Sequence, residues 1–396
     1  MKKIIIIGAG ASGVYLSILL KQSLQSKVDV LVLEQNNAPL KKILATGNGR
    51  CNLSNREMNI DYYQSDNQTL IKDIITSFDM KQAMDEIGLY CIYQGDLLYP
   101  KSEQALSVKT RLMSMAEDLG VTFLYNQEVQ SIEQRHQSLI QTSDQSYSCD
   151  YVIFAMGSEA GKLSGNSSIR YELLKNLHLN VLPSMPSLVQ MKTKPVLKQL
   201  KGVRVKGIFS LLENNRCIHK EKGEMLFTDY GVSGIAIMQL SSFYKENHSY
   251  DIAIDFFDEK DEKKLNEYIE LRIKKDYNHL YDGLLHSKLA SYLESLPKQN
   301  VQDVVKNLKD FRLHVTGLQS FETAQVMKGG LSLNEVDSTL QIKKYPHMYA
   351  TGEILNVAGM CGGYNLHFAF SSANHVAKAI EREFHDQNQQ CQGVIG

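Results

Sequence analysis

Cysteine is scarce and scattered in this chain of 396 residues. The six cysteines stand at positions 51, 91, 149, 217, 361 and 391. They form no C-x-x-C pair and no Cys/His cluster with zinc-ligand spacing. This pattern excludes a disulfide framework and argues against a dithiol centre beside the first helix. We therefore expect a cytoplasmic protein with reduced thiols and no metal site.

An excess of charge of one sign and long apolar runs are also missing. Lys and Arg number 43 and Asp and Glu 44, so the net charge is −1. We expect no nucleic-acid partner and no membrane contact on that basis. No apolar run approaches the length of about 20 residues that a membrane span needs. Four isoleucines follow the two N-terminal lysines, but the glycine turn and the acid at position 34 that come after them argue against a signal peptide, so we expect no targeting segment.

A strand, a glycine turn, a helix and a second strand open the sequence. The β-branched run Ile4 to Ile7 is typical of a strand buried on both faces of a parallel sheet. The turn after it fits G-x-G-x-x-G, and Glu34 follows the last glycine of this motif by 21 residues. The glycines of the motif are Gly8, Gly10 and Gly13. A helix is predicted over 14–20 and the second strand over 28–33.

This order of parts indicates a dinucleotide-binding unit, whereas the glycine motif alone is weak evidence. Gly8 permits the tight turn, Gly10 lets the backbone approach a pyrophosphate, and Gly13 lets the helix pack close to the strand. The helix N-terminus, at Ala11 and Ser12, offers unpaired N–H groups to the phosphates. The acid that closes the unit is placed to bind a ribose diol and disfavours a 2′-phosphate. The site therefore suits FAD or NAD better than NADP.

A loop rich in Gly, Asn and basic residues follows, over 39–55. Small residues next to basic side chains suit a loop that wraps an anion at close range. Because it comes directly after the dinucleotide motif, we expect a ligand-binding loop instead of an ordinary surface loop. Cys51 is expected to be packed, since a lone cysteine near a cofactor is seldom redox-active. The expected contacts are Lys42, Gly47, Gly49, Arg50, Cys51 and Asn52, with Arg50 on the pyrophosphate.

The middle of the chain predicts a composite fold. Helical periodicity covers 71–88, and alternation over 127–149 predicts a three-stranded antiparallel meander that leads into a buried strand ending at Gly157. Pro183 and Pro186 indicate a domain boundary, and short strand-like segments follow. The charged, helical stretch Asp258 to Leu296 is expected as an insertion. The expected domains are an FAD-type Rossmann domain over 1–184 and 335–396, a β-rich domain over 185–255 and 305–334, and a helical insertion over 256–304.

The last part of the chain returns to the first domain. Thr351-Gly352-Glu353 ends a short strand, and the Gly-rich stretch 359–365 opens a helix predicted over about 366–384. A flavin commonly places its pyrimidine end at such a helix N-terminus, because the helix dipole stabilises negative charge on the reduced ring. His367 could protonate a substrate, although a structural role is more common for a histidine on a helix.

Several of these stretches together resemble a bacterial family of NAD(P)/FAD-dependent oxidoreductases that includes aminoacetone oxidase and a bile-acid reductase. The matching segments are IIIIGAGASG, KKILATGNGRCNLSN, LFTDYGVSG, VTGLQSFETAQVMKGGLSLNEVD and the TGE…GGYN region. The resemblance implies an α/β fold with a glutathione-reductase-like FAD domain, a β-barrel-like domain and a small inserted helical domain. It also implies one FAD. The expected cofactor contacts outside the glycine turn and the loop over 39–55 are Glu34, Gln35, Val129, Gly157, Gly352, Glu353, Gly362, Gly363, Tyr364 and Asn365.

The favoured function is an FAD-dependent oxidoreductase that transfers hydride between the flavin and an unidentified small molecule. An oxidase and a reductase are both compatible with the sequence, and the candidate catalytic residues are His367 and Tyr364. Two alternatives stay open, an RNA-binding or tRNA-modifying flavoprotein and a flavin redox sensor without turnover. No second strand–G-x-G-x-x-G–helix unit occurs over 157–352, so NADH or NADPH is expected only as a transient donor without a domain of its own.

Overall fold

The structure is a computed structural model that describes residues 1–162, 169–257, 262–275, 279–297 and 300–393, with side chains to residue 386. The chain forms two compact units. Unit 1 comprises Met1–Met185 and Val326–Gly396, and unit 2 comprises Pro186–Gln325.

The elements are numbered in chain order. The strands are β1 (Lys2–Ile7), β2 (Val28–Glu34), β3 (Ser54–Asn55), β4 (Tyr63–Ser65), β5 (Cys91–Gln94), β6 (Leu97–Pro100), β7 (Thr122–Tyr125), β8 (Val129–Glu133), β9 (Ser138–Thr142), β10 (Ser146–Cys149), β11 (Tyr151–Phe154), β12 (Val181–Ser187), β13 (Met191–Lys194), β14 (Arg204–Glu213), β15 (Arg216–Phe227), β16 (Gly231–Ser233), β17 (Tyr250–Asp255), β18 (Phe311–Leu318), β19 (Val326–Leu331), β20 (Met348–Ala350) and β21 (Val357–Gly359). The helices are α1 (Ala11–Leu24), α2 (Lys41–Ala45), α3 (Gln68–Thr76), α4 (Met80–Glu86), α5 (Ala105–Asp118), α6 (Ile169–Asn176), α7 (Ile235–Ser241), α8 (Glu262–Lys275), α9 (Ser287–Glu294), α10 (Val301–Lys309) and α11 (Tyr364–Gly393).

A five-stranded parallel sheet in the order β20-β11-β1-β2-β7 forms the centre of unit 1. The isoleucines of β1 are buried on both faces, as a central parallel strand requires. Helix α1 packs against α11 and α5. The predicted Rossmann-type fold is therefore confirmed, and the carboxyl ends of β1, β2, β11 and β20 meet at one edge of the sheet, where such folds bind nucleotides.

The strands β8, β9 and β10 form the predicted antiparallel meander. The prediction of a single helix over 71–88 is wrong, because two helices, α3 and α4, occupy this stretch. The side chain of Asp79 accepts a hydrogen bond from the N–H group of Gln82 and starts a new helix there. An N-cap residue of this kind interrupts an apolar periodicity that otherwise continues across the break.

Unit 2 is built on a closed barrel with the strand order β13-β16-β15-β14-β17-β18. Its core includes Phe209, Ile252 and Leu313, which are at most 1% exposed. Three helices, α8 to α10, lie between β17 and β18 in the sequence, and Ile269 and Leu308 from them belong to the same core. The barrel-like fold is confirmed; a helical domain over 256–304 that folds as a separate unit stays a prediction.

Helix α11 starts at Tyr364, two residues earlier than predicted, and extends to Gly393. Within the described ranges, no helix is both long and apolar enough to cross a membrane.

Candidate functional site

The glycine turn joins β1 to α1. A methyl group on Gly13 would lie 2.1 Å from the carbonyl oxygen of Gly8, so only glycine lets the helix pack this close to the turn. A methyl group on Gly10, in contrast, meets no atom within 4 Å. The turn leaves an open space directly before Ala11 and Ser12, where an anion can approach the first N–H groups of α1.

Glu34 ends β2 and is 7% exposed. Its Oε2 accepts a hydrogen bond from the N–H group of Ala9 at 2.8 Å, and its Oε1 accepts from the backbone N and the Nδ2 of Asn36 at 2.8 and 2.7 Å. A carboxylate offers about four acceptor positions, so one remains for a ribose hydroxyl group. Glu34 therefore stabilises the glycine turn, in addition to its predicted role as an acceptor for the ribose. Gln35, the next residue, is half-buried.

Val129 and Gly157 lie near the same edge of the sheet. The N–H group of Gln127 donates to the carbonyl of Glu34 at 2.9 Å, so the meander starts beside the end of β2. Val129 is buried at the start of β8. Gly157 follows β11 with φ +63°, and a methyl group there would meet nothing within 4 Å.

The predicted cofactor loop consists of α2 and a 3₁₀ turn over Thr46–Gly49. The residues Gly47, Asn48 and Gly49 all have positive φ, which bends the loop sharply. Cys51 is fully buried, and burial raises the pKa of its thiol to about 11, against a smaller lowering by a hydrogen bond with Thr46. The thiol is protonated at neutral pH, which supports the packed role expected for Cys51.

Arg50 is held by groups of the protein. Its Nη2 lies 2.6 Å from a carboxylate oxygen of Glu103 and donates to Oε1 of Gln94, and the guanidinium stacks 4.4 Å above the ring of Tyr99. These contacts fix the plane of the guanidinium. Its predicted contact with the pyrophosphate stays a prediction, and the buried inner nitrogen, Nε, is available for it because it has no partner among the described residues.

Three buried polar atoms of the predicted cofactor residues have no hydrogen-bond partner in the described part of the chain. They are Nε of Arg50, Oδ1 of Asn52 and Oε1 of Glu353. One is a donor and two are acceptors, and leaving them unpaired is costly. A ligand that carries hydroxyl groups and phosphate oxygens supplies the complementary groups. The ribityl chain and pyrophosphate of FAD fit this requirement.

The T-G-E turn after β20 lies against the first turn of α1. Gly352 has φ +73°, and a methyl group on it would lie 2.5 Å from Oγ of Ser12. Ser372 of α11 fixes the turn, because its Oγ accepts from the N–H group of Gly352 at 3.0 Å and lies 2.8 Å from Oγ1 of Thr351. The structure thus brings the predicted residues 352 and 353 to the glycine turn. Ser372 also contributes to this turn, and no sequence motif indicated it.

The second glycine-rich loop ends at the start of α11. A methyl group on Gly363 would lie 2.7 Å from the carbonyl group of Ser54, so this second loop packs against the end of the predicted cofactor loop. Asn365 closes the loop on itself, since its Oδ1 accepts from the N–H group of Gly359 and its Nδ2 donates to the carbonyl of the same residue, both at 2.8 Å.

Tyr364, the first residue of α11, belongs to a cluster of tyrosines that sequence reasoning missed. Its ring stacks on Tyr62 with a centroid distance of 4.9 Å, and its carbonyl oxygen accepts from the hydroxyl group of Tyr63 at 2.9 Å. Burial, with smaller contributions from Tyr62, Glu57 and Asp96, raises the pKa of Tyr364. The phenol is therefore protonated at neutral pH.

His367 is 1% exposed, and both ring nitrogens have protein partners. Nε2 lies 2.8 Å from the carbonyl oxygen of Ile75, so it carries the proton, and Nδ1 accepts from Oγ of Ser54 at 2.8 Å. Burial lowers the pKa of His367 to about 4, so the ring is neutral. The geometry favours the structural role, and we do not propose His367 as a proton donor.

A candidate set of metal ligands lies in unit 2. Ligand atoms of His279, Asp282 and Glu294 lie within 4.8 Å of one another. Arg272 donates to the carbonyl groups of His279 and Asp282 at 2.6 and 2.8 Å, which places a positive charge beside them. The histidine and the aspartate already pair at 3.1 Å, so we propose no metal here.

Comparison with known proteins identifies the family. The profile described as "HI0933-like protein Rossmann domain" matches residues 2–379. This chain belongs to the HI0933-like family. The resemblance found from the sequence is thereby confirmed, and the chain is an FAD-dependent oxidoreductase of that family.

Curated relatives match the chain almost end to end. The 3-dehydro-bile acid delta(4,6)-reductase of Clostridium scindens is 30% identical over 96% of this chain and 99% of its own length. The ribosomal RNA dihydrouridine synthase of Escherichia coli is 30% identical over 93% of this chain and 95% of its own length. Among solved structures, the 3-ketosteroid-delta4-(5alpha)-dehydrogenase of Rhodococcus jostii RHA1 is 15% identical over 95% of this chain and 96% of that chain, with a TM-score of 0.46.

Proposed function

We propose that this HI0933-like protein reduces a carbon–carbon double bond conjugated to a carbonyl group in a small molecule. The observation that carries the proposal is the end-to-end similarity to the bile-acid reductase, whose name describes reduction of Δ4,6 double bonds in a 3-oxo compound. The unpaired polar atoms of the FAD site support the cofactor that such a reaction needs.

Bound FAD would supply a centre that takes an electron pair from a donor and passes it on as hydride. The overall reaction adds one hydride and one proton across the C=C bond, so the substrate gains two hydrogens and the donor loses two electrons. We propose a reduced nicotinamide as a transient donor. A second Rossmann domain for the nicotinamide would need a second parallel sheet. In the described residues, parallel strand pairing occurs only in the five-stranded sheet of unit 1 and in an isolated bridge between Leu331 and Leu355.

The residues of unit 1 would hold the cofactor and supply the proton. Gly10 and the start of α1 would bind the pyrophosphate, and Glu34 the ribose. We propose Tyr364 as the proton donor, because its phenol is protonated at neutral pH and it is the first residue of α11, the helix N-terminus at which the flavin ring is expected. Tyr364→Phe should then slow turnover without releasing FAD.

The test starts with the flavin that the purified protein releases, which should be FAD and not FMN. The protein is then reduced under anaerobic conditions with NADH or NADPH and mixed with 3-oxo-4-ene steroids and smaller enones. Reoxidation of the flavin by one of them, with a product 2 Da heavier, would support the proposal. Reoxidation by oxygen alone, together with rapid flavin reduction by amines, would show an oxidase instead.

A second candidate substrate is the uracil ring in RNA. The observation in its favour is the similarity to two ribosomal RNA dihydrouridine synthases, the second from Haemophilus influenzae at 28% identity. The C5=C6 bond of uracil is conjugated to the C4 carbonyl, so its reduction requires the same hydride and proton. The net charge of −1 favours the small molecule. Dihydrouridine formed in ribosomal RNA, with no enone accepted, would reverse that preference.

A further inference from the structure

One ion pair connects two segments of unit 1 that are far apart in sequence. Nζ of Lys42, in α2, lies 2.6 Å from Oε2 of Glu353, in the T-G-E turn 311 residues later. The two side chains are 35% and 20% exposed, so water screens the pair only in part. The pair is therefore more than a fluctuating surface contact.

Lys42 also contacts a third segment. Its Nζ donates to Oγ of Ser158 at 3.4 Å, and Ser158 lies in the turn after β11 and is 1% exposed. The same Oγ accepts from the N–H group of Ala160 at 3.2 Å. An ammonium group has three protons to donate, and here it joins the cofactor loop, the turn after β11 and the turn after β20.

Glu353 has one carboxylate oxygen engaged and one free. Oε2 accepts from Lys42, whereas Oε1 is buried and has no partner among the described residues. Pairing on one side fixes the rotation of the carboxylate and therefore the direction in which Oε1 points. A buried carboxylate oxygen without a donor is unfavourable, and a ligand hydroxyl group is the donor that would satisfy it.

We propose that Lys42 is a positioning residue for the cofactor. By holding Oε2 of Glu353, it orients Oε1 toward a hydroxyl group of the bound polyol chain, which for FAD is the ribityl chain. Lys42 acts on FAD through Glu353 and does not bind the phosphates. This inference rests on the FAD site proposed above and is independent of the substrate.

A double-mutant cycle on FAD binding tests the inference. The variants are Lys42→Met, Glu353→Gln and the two combined, with Lys42→Arg as the conservative replacement and Lys41→Met as the control on the same helix. The Kd of the apoprotein for FAD is measured by fluorescence titration, and the melting temperature of each apoprotein reports on the fold.

Lys42→Met and Glu353→Gln should each raise the Kd by about tenfold, as expected for loss of a charge-assisted hydrogen bond. The double variant should be no worse than either single variant, Lys42→Arg should restore most of the affinity, and Lys41→Met should have no effect. Additive losses would overturn the inference, since they mean that Lys42 touches the ligand itself. An unchanged Kd for Lys42→Met would overturn it as well, whereas a wild-type protein that binds no FAD would refute the site and not only the role of Lys42.

Discussion

The glycine turn offers a substitution that separates cofactor binding from folding. Gly10 has φ −80° and ψ −172°, which any residue can adopt, and a methyl group on it meets no atom within 4 Å. Gly10→Ala should therefore leave the free energy of unfolding of the apoprotein within about 0.5 kcal/mol of the wild type. The same methyl group fills the space through which the pyrophosphate would approach the backbone.

The expected loss of affinity follows from the hydrogen bonds at that position. A methyl group there would hold the phosphates away from the first N–H groups of α1. Losing two hydrogen bonds to charged oxygens, at about 1.5 kcal/mol each, costs about 3 kcal/mol. The Kd for FAD should then rise by about two orders of magnitude.

Gly13→Ala is the matched control, because its methyl group would lie 2.1 Å from the carbonyl oxygen of Gly8 and 3.2 Å from Cβ of Ala155. It should lower the free energy of unfolding of the apoprotein by about 2–3 kcal/mol through overpacking and weaken FAD binding too. The assays are urea unfolding of each apoprotein and titration with FAD. A wild-type Kd for Gly10→Ala would refute the pyrophosphate path, and destabilisation as large as that of Gly13→Ala would refute the steric reasoning.

Three further substitutions test other parts of unit 1. Glu34→Ala removes the acceptor for Ala9 and Asn36 as well as for the ribose, so it should lower apoprotein stability by about 1–3 kcal/mol and weaken FAD binding, both measurable on one preparation. Arg50→Ala should weaken FAD binding while stability changes by less than about 1 kcal/mol, because its pair with Glu103 is partly exposed; loss of turnover with full FAD content would place Arg50 at the substrate. Burial raises the pKa of Glu383, but the imidazole of His347, 3.3 Å away, and hydrogen bonds from Tyr349 and Tyr151 outweigh it and hold the pKa below its usual range. Its stabilising effect is therefore present above the unfolded pKa of about 4.3 and lost as pH falls through the folded value, so Glu383→Gln should lower the melting temperature at pH 7 and progressively less toward pH 3; a constant difference across that range would contradict this.

The parts of the fold that the sequence predicted are those specified by local pattern. The run Ile4 to Ile7, the glycine turn and the alternation over 127–149 each occur within one stretch, and each forms the element expected of it. The break between α3 and α4 was not predicted, because the apolar periodicity continues across it. Asp79, a residue type that commonly caps helices, was the one local signal of the break. An element was predictable when its own residues showed a clear pattern, whether or not it lies near the candidate site.

The relations between distant segments could not be predicted in this way. Lys42 and Glu353 were each expected at the cofactor, yet neither residue type nor spacing indicates that they pair with each other across 311 positions. For His367 the sequence suggested a role that the structure does not support. Its position just after the Gly-rich loop made it a candidate proton donor to a substrate. Only the tertiary fold reveals that Ser54 and Ile75 occupy both of its nitrogens. A polar side chain near a cofactor motif can contact either the ligand or the protein, and the inventory of its hydrogen-bond partners is what separates the two. By that criterion Glu353, Asn52 and Arg50, each with a buried atom still unpaired, are the residues on which binding of the cofactor should depend.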